Sequence, residues 1–371
     1  MDIETRMKTI VRNAVEIVTL EELRSKLESG EKLKGYIGYE PSGLVHVGWL
    51  VWFFKVWDLV EAGVDFTVLE ATWHAFINDK LGGDMDLIRK ASRLTREVME
   101  ALGIPVDKIR FVDAEELTSD PSYWALVLEV MKNNSLARIK RSLTIMGRRA
   151  EEAELDASKL VYPAMQVSDI YYLDLDIALG GMDQRKAHML ARDTAEKKRL
   201  QEFYERIRGK KLKKPIAIHT PIITSLQGPG SRMDVSETEI DEIYSSVKMS
   251  KSKPDSAIFV HDSPEAIVEK LRKAYCPPRQ LEYNPVIEIA SHVLGARGQL
   301  TLRIERPSKY GGPLEITSVE ELKDVYSRGE IHPLDLKNAV SEALIKLLEP
   351  ARKLLKSRED LIREVESRVT R

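Results

Sequence analysis

The sequence predicts an α/β fold in which a doubly wound parallel sheet is followed by a smaller, mostly helical C-terminal domain. Three observations support this prediction. Short apolar runs of strand length alternate with long helical patterns through the first two thirds of the chain, which is typical of a parallel sheet covered by helices. Beyond Pro254 helical patterns dominate. The length of 371 residues suits two domains, at roughly 150 residues per domain.

The first predicted element is a helical lead-in over 1–30. Apolar residues recur there at helical spacing, and Thr19 stands before Glu22 in the pattern of a helix cap. A Rossmann-like catalytic domain is predicted over 31–255, and ligands of such a sheet bind at the carboxyl ends of its strands. Its predicted strands cover 34–39, 66–71, 109–112, 174–179 and 215–219, and its predicted helices cover 47–62, 87–102 and 123–153 and start again at 184.

The last predicted domain covers 256–371. Helices are expected over 264–274 and from residue 333 to the end, with a short strand over 300–305 between them. The texture of the sequence changes between residues 255 and 285, where we expect the domain boundary.

Composition narrows the function classes. Hydrophobic residues at 43% and charged residues at 31% are typical of a soluble globular protein. No apolar run approaches the ~20 residues that span a bilayer, and the start does not resemble a signal peptide, so we expect a cytoplasmic protein without membrane contact. The formal charge of −2 argues against indiscriminate nucleic-acid binding. Cys276 is the single cysteine, which excludes an internal disulfide and a cysteine-rich zinc site.

Two short segments far apart in the chain predict an ATP site. The first follows the predicted strand 34–39 and opens a helix, so its small residues can bring backbone N–H groups to a phosphate. The second supplies lysine charges. Each alone has a simpler explanation, a turn for the first and a solvated loop for the second. The residues concerned are Gly38, Pro41, Ser42, Gly43, His46 and Gly48 in the first segment and Lys248, Met249, Ser250, Lys251 and Ser252 in the second.

A third segment predicts a polar pocket. Pro163 suits the first turn of a helix, and Tyr162, Gln166 and Asp169 then lie on one helix face. They can present a hydroxyl, an amide and a carboxylate to one ligand. The alternative is that Tyr162 and Gln166 are ordinary half-buried residues and Asp169 is solvated.

These segments together resemble a known family. The first two resemble the HIGH and KMSKS signatures of class I aminoacyl-tRNA synthetases, and the segments 36–38, 162–169, 180–186 and 332–337 resemble tyrosyl-tRNA synthetases of the archaeal and eukaryotic branch. The resemblance implies activation of tyrosine by ATP, which Mg²⁺ accompanies, and transfer of tyrosine to tRNA(Tyr). No resident metal site and no permanently bound cofactor are expected.

The resemblance also implies roles for individual residues. Tyr36 and Asp169 hold the phenolic hydroxyl of tyrosine, so phenylalanine would leave both unpaired. The implied residues are Tyr36, His74, Tyr162, Gln166, Asp169 and Gln184 for tyrosine; Gly181 and Asp183, besides the first two segments, for ATP; His46, Lys248 and Lys251 for catalysis; Arg141, Arg185 and Lys186 for the acceptor end of tRNA; and Tyr310, His332 and Asp335 for the anticodon.

The sequence leaves several alternatives open. Trp49 stands where the family usually has its second histidine; it either weakens catalysis, because indole cannot carry charge, or packs against aromatic neighbours. A tryptophan-specific enzyme and an RNA-binding protein that has lost activation are the rival functions. Arg141 on a solvated helix face and Tyr310 as an ordinary loop residue are simpler explanations. An apolar stretch over 123–136 suggests the contact of a homodimer.

Overall fold

The computed structural model describes residues 1–146, 156–229, 247–249 and 254–369. Its central sheet consists of β1 (Glu16–Val18), β2 (Lys34–Tyr39), β3 (Asp65–Glu70), β4 (Ile109–Asp113), β5 (Ile177–Gly181) and β6 (Ile216–Thr220). The strand order is β1-β6-β5-β2-β3-β4. Every neighbouring pair is parallel except β1 with β6, which confirms the predicted doubly wound α/β fold.

The edge strand β1 interrupts the helical lead-in that the sequence predicts over 1–30. It pairs antiparallel with β6, so this region contributes to the sheet instead of only preceding it. A strand of three residues is too short to show the alternation by which strands are recognised. The predicted helix cap is confirmed, because the side chain of Thr19 accepts a hydrogen bond from Glu22 N at 3.1 Å.

Helices cover both faces of the sheet. The helical pattern predicted over 123–153 is divided into short pieces up to residue 146, because Asp120 and Ser135 each cap a separate helix start; the rest of that pattern lies outside the described residues. The helices of this part are Ile3–Val11, Leu20–Glu28, Val47–Glu61, Thr72–Ile77, Met85–Ala101, Ala114–Thr118, Pro121–Lys132, Leu136–Arg141, Tyr162–Tyr172, Arg185–Ala195 and Lys198–Arg208.

The direction in which strands are added reverses between β2 and β5. These two strands pair in parallel, with β3 and β4 on one side of them and β6 and β1 on the other. Such a switch point opens a crevice at the carboxyl ends of the two strands. Tyr39 and Gly181 end β2 and β5, so the crevice lies directly beside the segments predicted to bind nucleotide.

The C-terminal part is mostly helical, as predicted. Its strand β7 (Leu302–Ile304) pairs antiparallel with β8 (Leu314–Ile316), a strand that the sequence did not predict. The last helix packs back on the first part, where Lys90 Nζ donates to Glu364 Oε2 at 3.3 Å. The helices of this part are Pro264–Lys273, Pro285–Ile289, Val319–Arg328, Pro333–Leu355 and Glu359–Arg368. Among the described residues, no helix combines the length and apolar character needed to cross a membrane.

Candidate active site

The crevice at the ends of β2 and β5 holds a cavity of about 320 Å³. Most residues predicted to bind nucleotide line it, namely Gly38, Ser42, His46, Gly48, Gly181, Asp183, Lys248 and Met249. Pro41 and Gly43 belong to the turn that leads into this wall. Ser250, Lys251 and Ser252 lie outside the described residues. The two distant sequence segments therefore meet in space.

His46 caps the helix Val47–Glu61 at the cavity wall. Its Nδ1 accepts a hydrogen bond from Gly48 N at 3.2 Å, so the proton of the neutral ring lies on Nε2. A Cβ atom on Gly48 would lie 2.9 Å from His46 Cε1, so a larger residue there would displace the imidazole ring. Gly43 has a φ of 139°, a backbone angle that also favours glycine. The first segment thus combines a close backbone approach with one donating imidazole.

Lys248 brings positive charge to the cavity. Its Nζ donates to Asp183 Oδ2 at 2.6 Å, and 32% of its side chain is exposed. Burial disfavours the charged form, but the carboxylate of Asp183 outweighs this effect and raises the pKa of Lys248. Lys248 therefore stays a cation across the physiological pH range.

Asp169 is the buried centre of a polar cluster next to the cavity. The residue is 1% exposed, so it is not the solvated residue of the alternative prediction. Tyr123 donates from its hydroxyl to Asp169 Oδ1 at 2.7 Å, and His74 Nε2 lies 3.1 Å from Oδ2 without hydrogen-bond geometry. Tyr36 is equally buried. Burial, followed by the charge of Asp169, raises the pKa of the Tyr36 phenol, which keeps it protonated.

Tyr123 has a different place from the one that the sequence suggests. It begins the apolar stretch 123–136 proposed for dimer contact, yet it is fully buried inside its own chain with its hydroxyl on Asp169. One signal points to this outcome, because a buried tyrosine needs a partner for its hydroxyl. The partner itself is 46 positions away in sequence, and no local pattern identifies it.

Glu40 organises the part of the cavity where the resemblance places the ammonium group of tyrosine. Tyr162 donates from its hydroxyl to Glu40 Oε1 at 2.7 Å, and Asn78 Nδ2 donates to the same oxygen at 2.8 Å. Gln166 Nε2 donates to Gln184 Oε1 at 3.2 Å. The sequence did not predict Glu40 as a site residue, although a carboxylate directly after β2 is a signal for one.

The residues predicted for the acceptor end of tRNA flank two lining segments of the cavity. Arg141 is exposed in the last turn of a short helix. Arg185 follows Gln184 of the cavity lining, and its Nε donates to Glu16 Oε2 at 2.9 Å. Lys186 beside it is half-buried. An RNA phosphate that reached Arg185 would compete with the carboxylate of Glu16.

The residues predicted for the anticodon lie in the C-terminal part. His332 is exposed and caps the helix Pro333–Leu355, where its Nδ1 accepts a hydrogen bond from Leu334 N at 3.2 Å. Asp335 lies in the first turn of the same helix. The side chain of Tyr310 lies outside the described residues. His332 and Asp335 do not belong to the lining of the cavity.

Trp49 lines the cavity and also packs against its neighbours. Its ring centroid lies 5.5 Å from that of Tyr39 and 5.9 Å from that of Trp52, distances usual for favourable aromatic pairs. The packing role and a role at the nucleotide are therefore compatible.

Comparison with known sequences identifies the family. The sequence model of "tRNA synthetases class I (W and Y)" matches residues 28–349. A tyrosine–tRNA ligase of Aeropyrum pernix is 66% identical over 352 residues, which make up 95% of this chain and 93% of that protein. A tyrosine–tRNA ligase of Sulfurisphaera tokodaii is 55% identical over 374 residues, covering 100% of this chain and 99% of that protein.

Solved structures agree with the sequence comparison. The crystal structure of tyrosyl-tRNA synthetase from Aeropyrum pernix has a TM-score of 0.83 at 58% identity and covers 99% of both chains. The structure from Pyrococcus horikoshii, complexed with L-tyrosine, has a TM-score of 0.88 at 42% identity and covers 99% of this chain and 100% of that one. With cavity, signatures and relatives in agreement, the chain belongs to the class I tRNA synthetases, in the archaeal-type tyrosyl-tRNA synthetase family.

Proposed function

We propose that this chain, a tyrosine–tRNA ligase by family, activates tyrosine with ATP to tyrosyl-adenylate and then transfers tyrosine to tRNA(Tyr). The observation that carries the proposal is the buried carboxylate of Asp169, held by Tyr123, beside a cavity that contains Lys248. The substrate tyrosine would place its hydroxyl at Asp169 and its carboxylate, the nucleophile of the reaction, in the cavity. The protein needs no nucleophile of its own, so its task is positioning and charge neutralisation.

Recognition of the phenolic hydroxyl is assigned to Tyr36 and Asp169. The buried phenol of Tyr36 remains protonated and can donate, whereas Asp169 accepts a hydrogen bond from the substrate hydroxyl. A phenylalanine ring would leave both groups buried without a partner. The hydrogen bond from Tyr123 holds Asp169, so the carboxylate is already oriented before the substrate enters.

The ammonium group of tyrosine is assigned to Tyr162, Gln166 and Gln184. The hydroxyl of Tyr162 is oriented by Glu40, a carboxylate that adds favourable charge for a cation in the cavity. Gln166 and Gln184 are hydrogen-bonded to each other, and their amide oxygens can accept further hydrogen bonds from the ammonium group.

In the activation step the substrate carboxylate attacks the α-phosphorus of ATP, the bond to the bridging oxygen of the β-phosphate breaks, and pyrophosphate leaves. Lys248, together with Lys251, is assigned to the charge on the pyrophosphate, and His46 to a phosphate oxygen through Nε2–H. Gly181 and Asp183 are assigned to the ribose or the adenine. Mg²⁺ enters with ATP as part of the substrate; within the described ranges no group of His, Cys, Asp and Glu side chains could hold a metal ion.

The tRNA is proposed to contact two surfaces. Its acceptor end meets Arg141, Arg185 and Lys186, and its anticodon meets the predicted domain 256–371. A single-stranded base is commonly read by stacking and by hydrogen bonds to its edge. In this proposal the side chains that read the anticodon are Tyr310, His332 and Asp335.

A homodimer is proposed on an exposed apolar surface. Leu128 and Leu136 are each 60% exposed on neighbouring helices, and Trp124 is 36% exposed. Exposed apolar side chains of this size are typical of surfaces that another chain covers. The cytoplasmic location remains a prediction and is the natural one for a tRNA ligase.

Amino-acid-dependent exchange between ATP and pyrophosphate tests the function. We expect exchange with tyrosine and not with phenylalanine or tryptophan. In Asp169→Asn the exchange should fall roughly a hundredfold, because disturbed buried polar groups cost about 1–3 kcal/mol each. The exposed residue Asp107 provides the matched control, Asp107→Asn, which should keep full activity. Exchange with tryptophan alone would indicate the sister enzyme, and tRNA binding without exchange would indicate a lost catalyst.

A further inference from the structure

Thr224 and Glu288 form a doubly hydrogen-bonded pair next to Ile223 of the cavity lining. Thr224 N donates to Glu288 Oε2 at 2.6 Å, and Thr224 Oγ1 donates to Glu288 Oε1 at 3.0 Å. Thr224 is 2% exposed, so loss of its partner would leave a buried N–H and a buried hydroxyl unsatisfied. Glu288 lies in the helix Pro285–Ile289. The pair therefore joins the C-terminal part of the chain to the edge of the cavity.

The segment around Thr224 holds the backbone of Lys248. Two backbone hydrogen bonds, of 2.7 and 3.0 Å, join residues 223–225 to residues 247–249, and Thr224 and Lys248 face each other in an antiparallel bridge. The side chain of Lys248 then reaches Asp183 in the cavity. The position of the lysine consequently depends on the position of Thr224.

The choice of a carboxylate at position 288 is chemically costly. Burial raises the pKa of Glu288 to about 7, although the two hydrogen bonds from Thr224 lower it. An apolar contact would join the two parts of the chain without this desolvation. A carboxylate differs from an apolar contact because its two oxygens fix the backbone and the side chain of one residue at the same time.

We propose that Glu288 is a positioning residue for ATP activation: it fixes Thr224 and, through the backbone bridge, places Lys248 in the cavity. The proposal rests on the role of Lys248 stated under the proposed function. It assigns to the C-terminal part of the chain an effect on the nucleotide through Lys248 and none on tyrosine, because Lys248 pairs with Asp183 whereas Asp169 is held by other elements.

Four variants test the link. Glu288→Leu removes both acceptors, Thr224→Val removes the hydroxyl donor, Thr224→Ser retains it, and Glu282→Leu changes an exposed carboxylate of the same region as the matched control. We expect Glu288→Leu to raise both the KM for ATP in exchange and the Kd for ATP by about tenfold, with a smaller rise in Thr224→Val. Thr224→Ser and Glu282→Leu should match the natural protein, and the KM for tyrosine should stay constant throughout.

Melting temperatures separate positioning from a merely structural contact. A destabilised variant that binds ATP normally, or one whose KM values for ATP and tyrosine rise equally, would overturn the proposal. If Glu288→Leu does not fold, Thr224→Val decides the question, because it loses one hydroxyl and keeps the backbone donor. Equilibrium ATP binding is measured without the reaction, so absence of exchange in the natural protein would count against the proposed function alone.

Discussion

At the tyrosine end of the site a carboxylate is buried and hydrogen-bonded within the chain, whereas at the nucleotide end a lysine borders an open cavity. Asp169 is 1% exposed and bonded to Tyr123, while 32% of the Lys248 side chain is exposed. Rigid buried polar groups penalise a ligand that cannot pair with them. Cationic groups at an open cavity can instead follow a charge that develops during the reaction. Selection of the amino acid therefore depends on buried polar groups, whereas stabilisation of the transition state depends on cationic groups at the open cavity.

The largest effect is expected from removing charge at the nucleotide end. Lys248→Met keeps most of the side-chain length, and we expect it to lower kcat for exchange roughly a hundredfold or more, because neutralisation of the leaving group is lost. Equilibrium binding of tyrosine should not change. Lys198→Met is the matched control, since Lys198 is an exposed lysine with only a loose contact to Glu202 at 3.7 Å. A parallel loss of tyrosine binding in Lys248→Met would break the distinction between the two ends.

A smaller effect, on tyrosine and not on ATP, is expected at the tyrosine end. Tyr123→Phe keeps the ring and removes the hydrogen bond to Asp169, so we expect the KM for tyrosine to rise about tenfold while the KM for ATP stays constant. Tyr172→Phe is the control, because that hydroxyl also donates to a carboxylate, Asp120, at 2.6 Å, and the variant keeps the ring that packs against Tyr123. If both variants behave alike, Tyr123 contributes only to packing.

Most of the fold follows from local patterns in the sequence. Strands such as β3 and long helices such as Val47–Glu61 are predicted because their periodicity extends over enough residues. The strands β1 and β8 are not, because three residues carry no usable period. The strand β7 is equally short, but its alternation of apolar residues extends over the predicted range 300–305. The divided helical pattern over 123–153 depends on the caps Asp120 and Ser135, whose signals are weaker than the hydrophobic period that runs through them.

Site residues are predictable from the sequence where they lie close together in one segment. His46 and Gly48 belong to one local geometry, and Asp169 shares a helix face with Tyr162. Contacts between distant segments, such as Tyr123 with Asp169 or Thr224 with Glu288, depend on how helices pack after folding. No residue pattern in either segment specifies the other, so these pairs become visible only in the structure.

A pair of buried histidines packs next to Gly180 of the cavity lining. His188 Nδ1 and His219 Nε2 are 3.0 Å apart, and His219 Nδ1 lies 2.7 Å from Glu16 Oε2. With the proton of His219 on Nδ1 toward the carboxylate, its Nε2 accepts from His188. A Cβ atom on Gly180, which lines the cavity, would lie 2.9 Å from His188 Cε1. The pair therefore packs against the end of β5 at the cavity wall.

The last prediction concerns stability and not catalysis, because the free energy of unfolding should depend on pH through this pair. Burial lowers the pKa of His188 and of His219 below the usual 6.5, so below pH 6.5 the unfolded chain binds protons that the folded chain excludes. The free energy of unfolding should then fall with decreasing pH, by up to about 1.4 kcal/mol per pH unit for each histidine. Melting temperatures between pH 7.5 and 5 should fall less steeply in His188→Gln than in the natural protein. The exposed His332 supplies the control, His332→Gln, which should retain the original slope. Identical slopes in all three proteins would mean that His188 binds its proton equally in the folded and the unfolded chain, and burial would then not lower its pKa.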